Sequence, residues 1–167
     1  MNETSESPSV LVIGVGNRFR GDDAAGPCVA DSVRARARHG VRVVEHSGEG
    51  ASLMDLWDGA GCVFLIDAAD SGGAPGFIYE FDAHEHVVPA EFLMYSTHAF
   101  GVAEAIELSR AFDRLPPRLY VYAIEGKDFG AGRALSAEVA DAVDSVVATV
   151  LERIEQRDQA PCTSSPL

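Results

Sequence analysis

The stretch Val10-Leu-Val-Ile-Gly-Val-Gly-Asn-Arg-Phe-Arg-Gly-Asp-Asp-Ala-Ala-Gly26 decides how the rest of the chain is read. Val10 to Ile13 is an apolar, largely β-branched run bounded by Gly14 and Gly16, the pattern of a buried strand. A glycine-rich turn follows, and Asp22-Asp23 stand where a helix should begin. One aspartate there has a plain explanation in capping and the helix dipole. Two in a row, at the carboxyl end of a buried strand, point further, because open α/β sheets bind their ligands at that end.

Outward from this turn, the chain alternates strands and helices. A helix is expected from Asp22 or Asp23 to about Arg38, stopped by Gly40, followed by a strand over Val41–Glu45. A short helix should cover Ser52–Trp57, and Cys62–Ile66 reads as a central strand, covered on both faces and ending at Asp67. The link Ala68–Pro75 is too short for a parallel crossover, so the next strand, Gly76–Phe81, should run antiparallel at an edge. Asp82–Thr97 is a long irregular connection. Ser96-Thr97 can cap a helix over His98–Phe112; a strand follows over Leu119–Ile124. Glu125–Arg133 is a Gly-rich loop, open as groove or connector, before a last amphipathic helix over Ser136–Arg157. The expectation is a three-layer α/β/α sandwich around a mostly parallel five-stranded sheet with one antiparallel strand. It forms one domain over residues 9–157, with disordered ends at 1–8 and 158–167.

Composition narrows the function. The 167 residues carry a formal net charge of −13, which argues against binding a phosphate backbone. Three cysteines, Cys28, Cys62 and Cys162, lack paired metal-type spacing and suit a reducing compartment. The polar, acidic N-terminus does not read as a signal peptide, and no apolar run approaches a membrane span, so the expected location is the cytoplasm.

The candidate chemistry lies in Asp22-Asp23, Asp67 and His98. If the first and third strands are sheet neighbours, two carboxylates and an imidazole can converge on one crevice, a donor set suited to zinc or nickel. Each residue also has a purely structural reading: a first-turn helix acid, a turn former, a satisfied ring. Gly14-Val-Gly-Asn17 invites a dinucleotide reading, but Phe19 occupies the position of the required third glycine, which normally lets helix and strand approach closely. His84-Glu-His86 would place both rings on one side of an extended segment, although surface histidines are usually just solvated. Cys28 has no identifiable base, and G-x-S-x-G and H-E-x-x-H are absent.

Taken together, Gly14-Val-Gly-Asn17, Gly21-Asp-Asp-Ala-Ala-Gly26, Val63-Phe-Leu-Ile-Asp-Ala68, Thr97-His-Ala-Phe-Gly101 and Gly126–Ser136 identify a likeness. From about Ser9 to Ile154 the chain resembles the hydrogenase maturation endopeptidases, which process the large subunit of [NiFe] hydrogenases. The resemblance implies removal of a C-terminal extension from the large-subunit precursor after nickel insertion. It also implies metal contacts at Asp23, Asp67 and His98, with the nickel supplied by the substrate or a divalent metal resident. Asp22, Gly14, Gly16, Asn17 and Gly26 then support the turn. The attacking group and the catalytic assignment within Asp23, Asp67 and His98 stay open. The expected partner is the precursor alone, met by a monomer. The competing reading is a non-catalytic α/β module that binds a metal or small ligand.

Overall fold

A computed structural model describes residues 9–38, 40–90 and 100–159. The sheet contains β1 (Val10–Val15), β2 (Val41–His46), β3 (Cys62–Ala69), β4 (Ile78–Asp82) and β5 (Leu119–Glu125). The helices are α1 (Ala25–Arg36), α2 (Gly50–Trp57), α3 (Val102–Ala111) and α4 (Ala137–Gln159). Strand order is β2-β1-β3-β5-β4, with every pair parallel except β4 against β5. The short link before β4 does enforce the antiparallel edge strand. β1 and β3 are neighbours, with Val10 opposite Cys62 and Gly14 opposite Ile66.

Alternation along the strands builds two apolar layers. Leu11, Ile13, Val15, Val63 and Leu65 pack toward α2 and α3, while Val10, Val12, Phe64 and Ile66 pack toward α1 and α4. Both faces of the central strands are therefore apolar, which is why β1 and β3 read as unbroken hydrophobic runs.

Several boundaries differ from the sequence reading, each for a local reason. Asp22 and Asp23 lie in a 3-10 turn, Gly21–Ala24, ahead of α1 rather than in its first turn. The Asp22 backbone N–H goes to the Asp128 carbonyl (2.8 Å), which holds this turn apart from the helix ladder. α2 starts two residues early because the Glu49 carboxylate accepts from the Ala51 and Ser52 N–H groups, both at 2.9 Å. β3 continues through Ala68 and Ala69, so Asp67 sits inside the strand, paired with Ala123, rather than at its end. α3 opens at Val102, where the Glu104 carboxylate takes the Gly101 N–H (3.1 Å). The expected cap Ser96-Thr97 and the ligand candidate His98 lie outside the described residues, as do residues 1–8 and 160–167 of the expected ends.

Close approach of helix and strand is achieved without a glycine at position 19. Gly14 and Gly26 face each other instead: a Cβ on Gly14 would stand 2.3 Å from the Gly26 carbonyl oxygen. This pair brings the start of α1 down onto the ends of β1 and β3.

Candidate active site

The carboxyl ends of β1 and β3 form the rim at which Asp22, Asp23 and Asp67 gather. Gly16 makes the turn out of β1 possible: its φ of +137° and the Asp23 carbonyl, 2.0 Å from where a Cβ would stand, exclude any other residue. Asn17 then folds over the acid, its backbone N–H donating to Asp23 Oδ2 (3.1 Å).

Asp22 and Asp23 are adjacent and both buried, yet their surroundings differ. Asp22 accepts from the backbone N–H groups of Lys127 (2.7 Å), Asp128 (2.9 Å) and Ser136 (2.7 Å), and from the Ser136 hydroxyl (2.5 Å). Burial alone would raise its pKa, but these donors outweigh it and hold the carboxylate below its ordinary value. Both oxygens are engaged in tying the turn to the 127–136 loop, Oδ2 by three donors and Oδ1 by one. The Glu125–Arg133 loop thus clamps the turn that carries Asp23.

Asp23 and Asp67 are not satisfied in this way. Burial raises the Asp23 pKa, only partly opposed by the Asn17 N–H and the charge of Arg20. Asp67 is 4% exposed, and burial drives its pKa well above the ordinary carboxylate value. Its own Ala68 N–H, donating to Oδ1 at 2.8 Å, opposes the rise, while the Asp23 charge adds to it. Among the described residues, one oxygen of each carboxylate accepts a backbone N–H and the other accepts none. Two hard oxygen donors with mutual repulsion and a free lone pair each are suited to a cation. Strand alternation turns Asp67 to the α2–α3 side, and the chain returns to the described residues on that side at Phe100, whose carbonyl accepts the Gly50 N–H (3.0 Å). Among the described residues no three His, Cys, Asp or Glu side chains form a complete metal-binding group.

The remaining candidates are placed elsewhere. His84 and His86 do not share a side, because the segment after β4 turns back, with the Glu85 and His86 N–H groups both on the Asp82 carbonyl. His84 Nε2 lies 2.8 Å from the Pro116 carbonyl, while His86 lines a groove of about 620 Å³ at the opposite rim of the sheet, together with Cys62, Arg118 and Arg153. Burial raises the thiol pKa of both Cys28 and Cys62, which fits packing rather than nucleophilic duty.

Two supports escape a reading of the sequence. Glu125, 1% exposed at the end of β5, accepts from the Ser71 N–H (2.9 Å), the Ser71 hydroxyl (2.7 Å) and the Gly73 N–H (3.0 Å), fixing the segment after β3. A glutamate terminating an apolar strand was the available signal. His46, at the end of β2, accepts the Gly48 N–H at Nδ1 (3.0 Å), so Nε2 carries the proton and faces Ser52 Oγ (3.1 Å). Its ring is thereby spent on the start of α2.

With this geometry in view, relatives are informative. A family model described as hydrogenase maturation protease (HycI) matches residues 29–153. The chain belongs to this family. Among curated proteins it is 26% identical over 159 residues to the hydrogenase expression/formation protein HupM of Azotobacter chroococcum mcd 1, covering 90% of this chain and 75% of that one. The E. coli hydrogenase maturating endopeptidase HybD superposes with a TM-score of 0.75 at 22% identity, covering 89% of this chain and 93% of that one. The [NiFe] hydrogenase maturation protease HybD from Thermococcus kodakarensis gives 0.65 at 27% identity, covering 87% and 98%. The mostly parallel sheet with one antiparallel strand is the fold of this family, and its members are hydrogenase maturation proteases. Among the described residues, no helix is long and apolar enough to cross a membrane.

Proposed function

We propose that this maturation protease removes the C-terminal extension of a [NiFe] hydrogenase large-subunit precursor once nickel is in place. On this reading the nickel is part of the substrate, and Asp23, Asp67 and His98 recognise it, so that only loaded precursor is cut. The observation that carries the proposal is the pair of buried carboxylates, Asp23 and Asp67, each with one oxygen that accepts from none of the described residues, at a single rim. A cation there relieves their repulsion and polarises a carbonyl or a water.

The chain's own groups prepare the site. The Ala68 N–H fixes the Asp67 carboxylate on β3, and the Asn17 N–H fixes that of Asp23. Asp22 holds the turn to the far loop, so neither acid needs to reorganise when substrate arrives. Processing takes place in the cytoplasm, by a monomer that docks its substrate transiently.

Purified protein is to be incubated with nickel-loaded and nickel-free precursor, and the C-terminus read by mass spectrometry. Cleavage confined to the loaded form is expected; equal rates would remove the recognition role. His98→Ala should abolish cleavage of loaded precursor while leaving the circular dichroism spectrum unchanged.

A further inference from the structure

The groove at the rim opposite the acids carries a separation of charge. Its volume is about 620 Å³, within the range of roughly 300–1,000 Å³ usual for small-ligand pockets. Its floor follows one row across the sheet: Phe64 on β3 is opposite Tyr120 on β5, which is opposite Asp82 on β4, and all three line the groove. The Phe64 and Tyr120 rings stack with their centroids 5.5 Å apart. Two strand spacings separate the ends of this row, which makes it about 10 Å long.

The two ends differ in sign. At the β3 end, Cys62 lies on the same face as Phe64, and the charges acting on its thiol are those of Arg157, Arg118 and Arg153, with no carboxylate among them. At the β4 end stand Asp82 and Glu85. Arg153 lies between, 4.6 Å from the Tyr120 ring centre and paired with Glu80. The outer charges are not balanced in this way. Arg118 and Glu85 both line the groove, yet neither forms an ion pair with a described residue. A second observation is independent of these charges. Tyr122, two residues on from Tyr120 along the same face of β5, is 1% exposed, and its hydroxyl has no hydrogen-bond partner among the described residues. The groups whose charge reaches that hydroxyl, Arg153, Glu80, Tyr120 and Cys62, all line the groove. A buried hydroxyl left unpaired is costly, and a polar ligand in the groove supplies what it lacks.

The geometry points to a binding site for a short peptide with free ends, its carboxylate at the guanidiniums beside Cys62 and its ammonium at Asp82 and Glu85. Charge and length select this class. An inorganic anion would satisfy one end and face the acids of the other, and a single amino acid holds its two charges too close together. Three extended residues, at about 3.4 Å each, span the row. The stacked rings offer an apolar floor to a side chain, and the peptide backbone offers both donors and acceptors to the Tyr122 hydroxyl. The groove lies at the rim away from Asp23 and Asp67, so binding there is independent of the processing reading.

The test is a two-dimensional NMR titration of the full chain with the tripeptide alanyl-phenylalanyl-alanine, used free, N-acetylated, C-amidated or blocked at both ends, and with inorganic phosphate. The free tripeptide should shift the Cys62, Phe64, Tyr120 and Asp82 amide signals saturably. Blocking either end should weaken binding about tenfold, the scale for losing a hydrogen bond to a charged group. Arg118→Gln and Glu85→Gln should each weaken it about fivefold, since both side chains are exposed. Arg42→Gln removes the same charge as Arg118→Gln from β2, which β1 separates from β3, and should leave binding unchanged. No saturable shift below about 10 mM free tripeptide would overturn the proposal. So would equal binding of the doubly blocked form, or phosphate shifting the same signals to the same extent. Unchanged affinity in Arg118→Gln or Glu85→Gln would overturn it too, as would an equal loss in Arg42→Gln, which would trace the binding to net charge.

Discussion

Asp22 and Asp23 are consecutive, identical in chemistry and both buried, yet the fold treats them in opposite ways. Asp22 meets four donors from the 127–136 loop and is held ionised as a structural tie. Among the described residues Asp23 meets one, and its charge adds to the rise of the Asp67 pKa. Burial does not decide whether a carboxylate stabilises a protein. The number of N–H and O–H groups pointing at it does, and a shortage of them is tolerated where a ligand is to supply the balance.

The sharpest way to break this contrast is Asp67→Asn. Processing of loaded precursor should fall by about a thousandfold or more, the scale for losing a group that acts at the reacting centre. The same variant should melt at a higher temperature than wild type, because it removes a buried carboxyl that meets a single backbone donor among the described residues. A variant that melts lower would show that Asp67 is a structural tie like Asp22.

Asp22→Ala should do the reverse, lowering stability by about 2–4 kcal/mol in denaturant titration, because four buried donors lose their acceptor. An effect under about 1 kcal/mol would mean the loop finds other partners. Next in size is the pH dependence. Asp22 has a lowered folded pKa, so its contribution is present above the ordinary value of 3.8 and disappears as pH falls through the folded value. Asp67 has a raised folded pKa, so the native state binds more protons than the unfolded chain above 3.8. Its contribution therefore declines as pH rises from 3.8 toward the folded value. Asp22→Asn should flatten the acid limb of a stability profile, and Asp67→Asn should remove the decline on the neutral side.

Glu125→Gln should cost about 1–2 kcal/mol, since one accepting oxygen remains for the three donors from Ser71 and Gly73. The smallest effect belongs to Arg18→Met. Its ion pairs, bidentate with Glu45 and single with Asp31, are over a third exposed, so the expected loss is below about 1 kcal/mol.

The sheet was legible because each of its strands advertises itself locally. β1 and β3 are unbroken apolar runs between two helix layers, and the eight-residue link from Ala68 to Pro75 forces β4 to reverse. What escaped the sequence was decided at a distance. Ala68-Ala69 look like the start of a loop, yet they continue β3 because β5 reaches Glu125 beside them, and that moves Asp67 from a strand end into its interior. The Asp22 side chain finds its partners 105, 106 and 114 residues away, and no local pattern records such a tie. Glu49 is an uncommon helix cap, so α2 began earlier than its sequence announced. Of the site itself, Asp23 and Asp67 were readable as acids near strand ends, and the family likeness already gave Asp22 to the turn; the distant donors that hold Asp22 there were not legible.

The span of the Asp22 tie also bears on synthesis. Every donor the Asp22 carboxylate uses belongs to the last quarter of the chain, so a nascent polypeptide that has not yet emerged past Ser136 carries the turn without this tie. The acid turn is therefore completed only near the end of translation, and a product truncated before Ser136 keeps its acids without that brace.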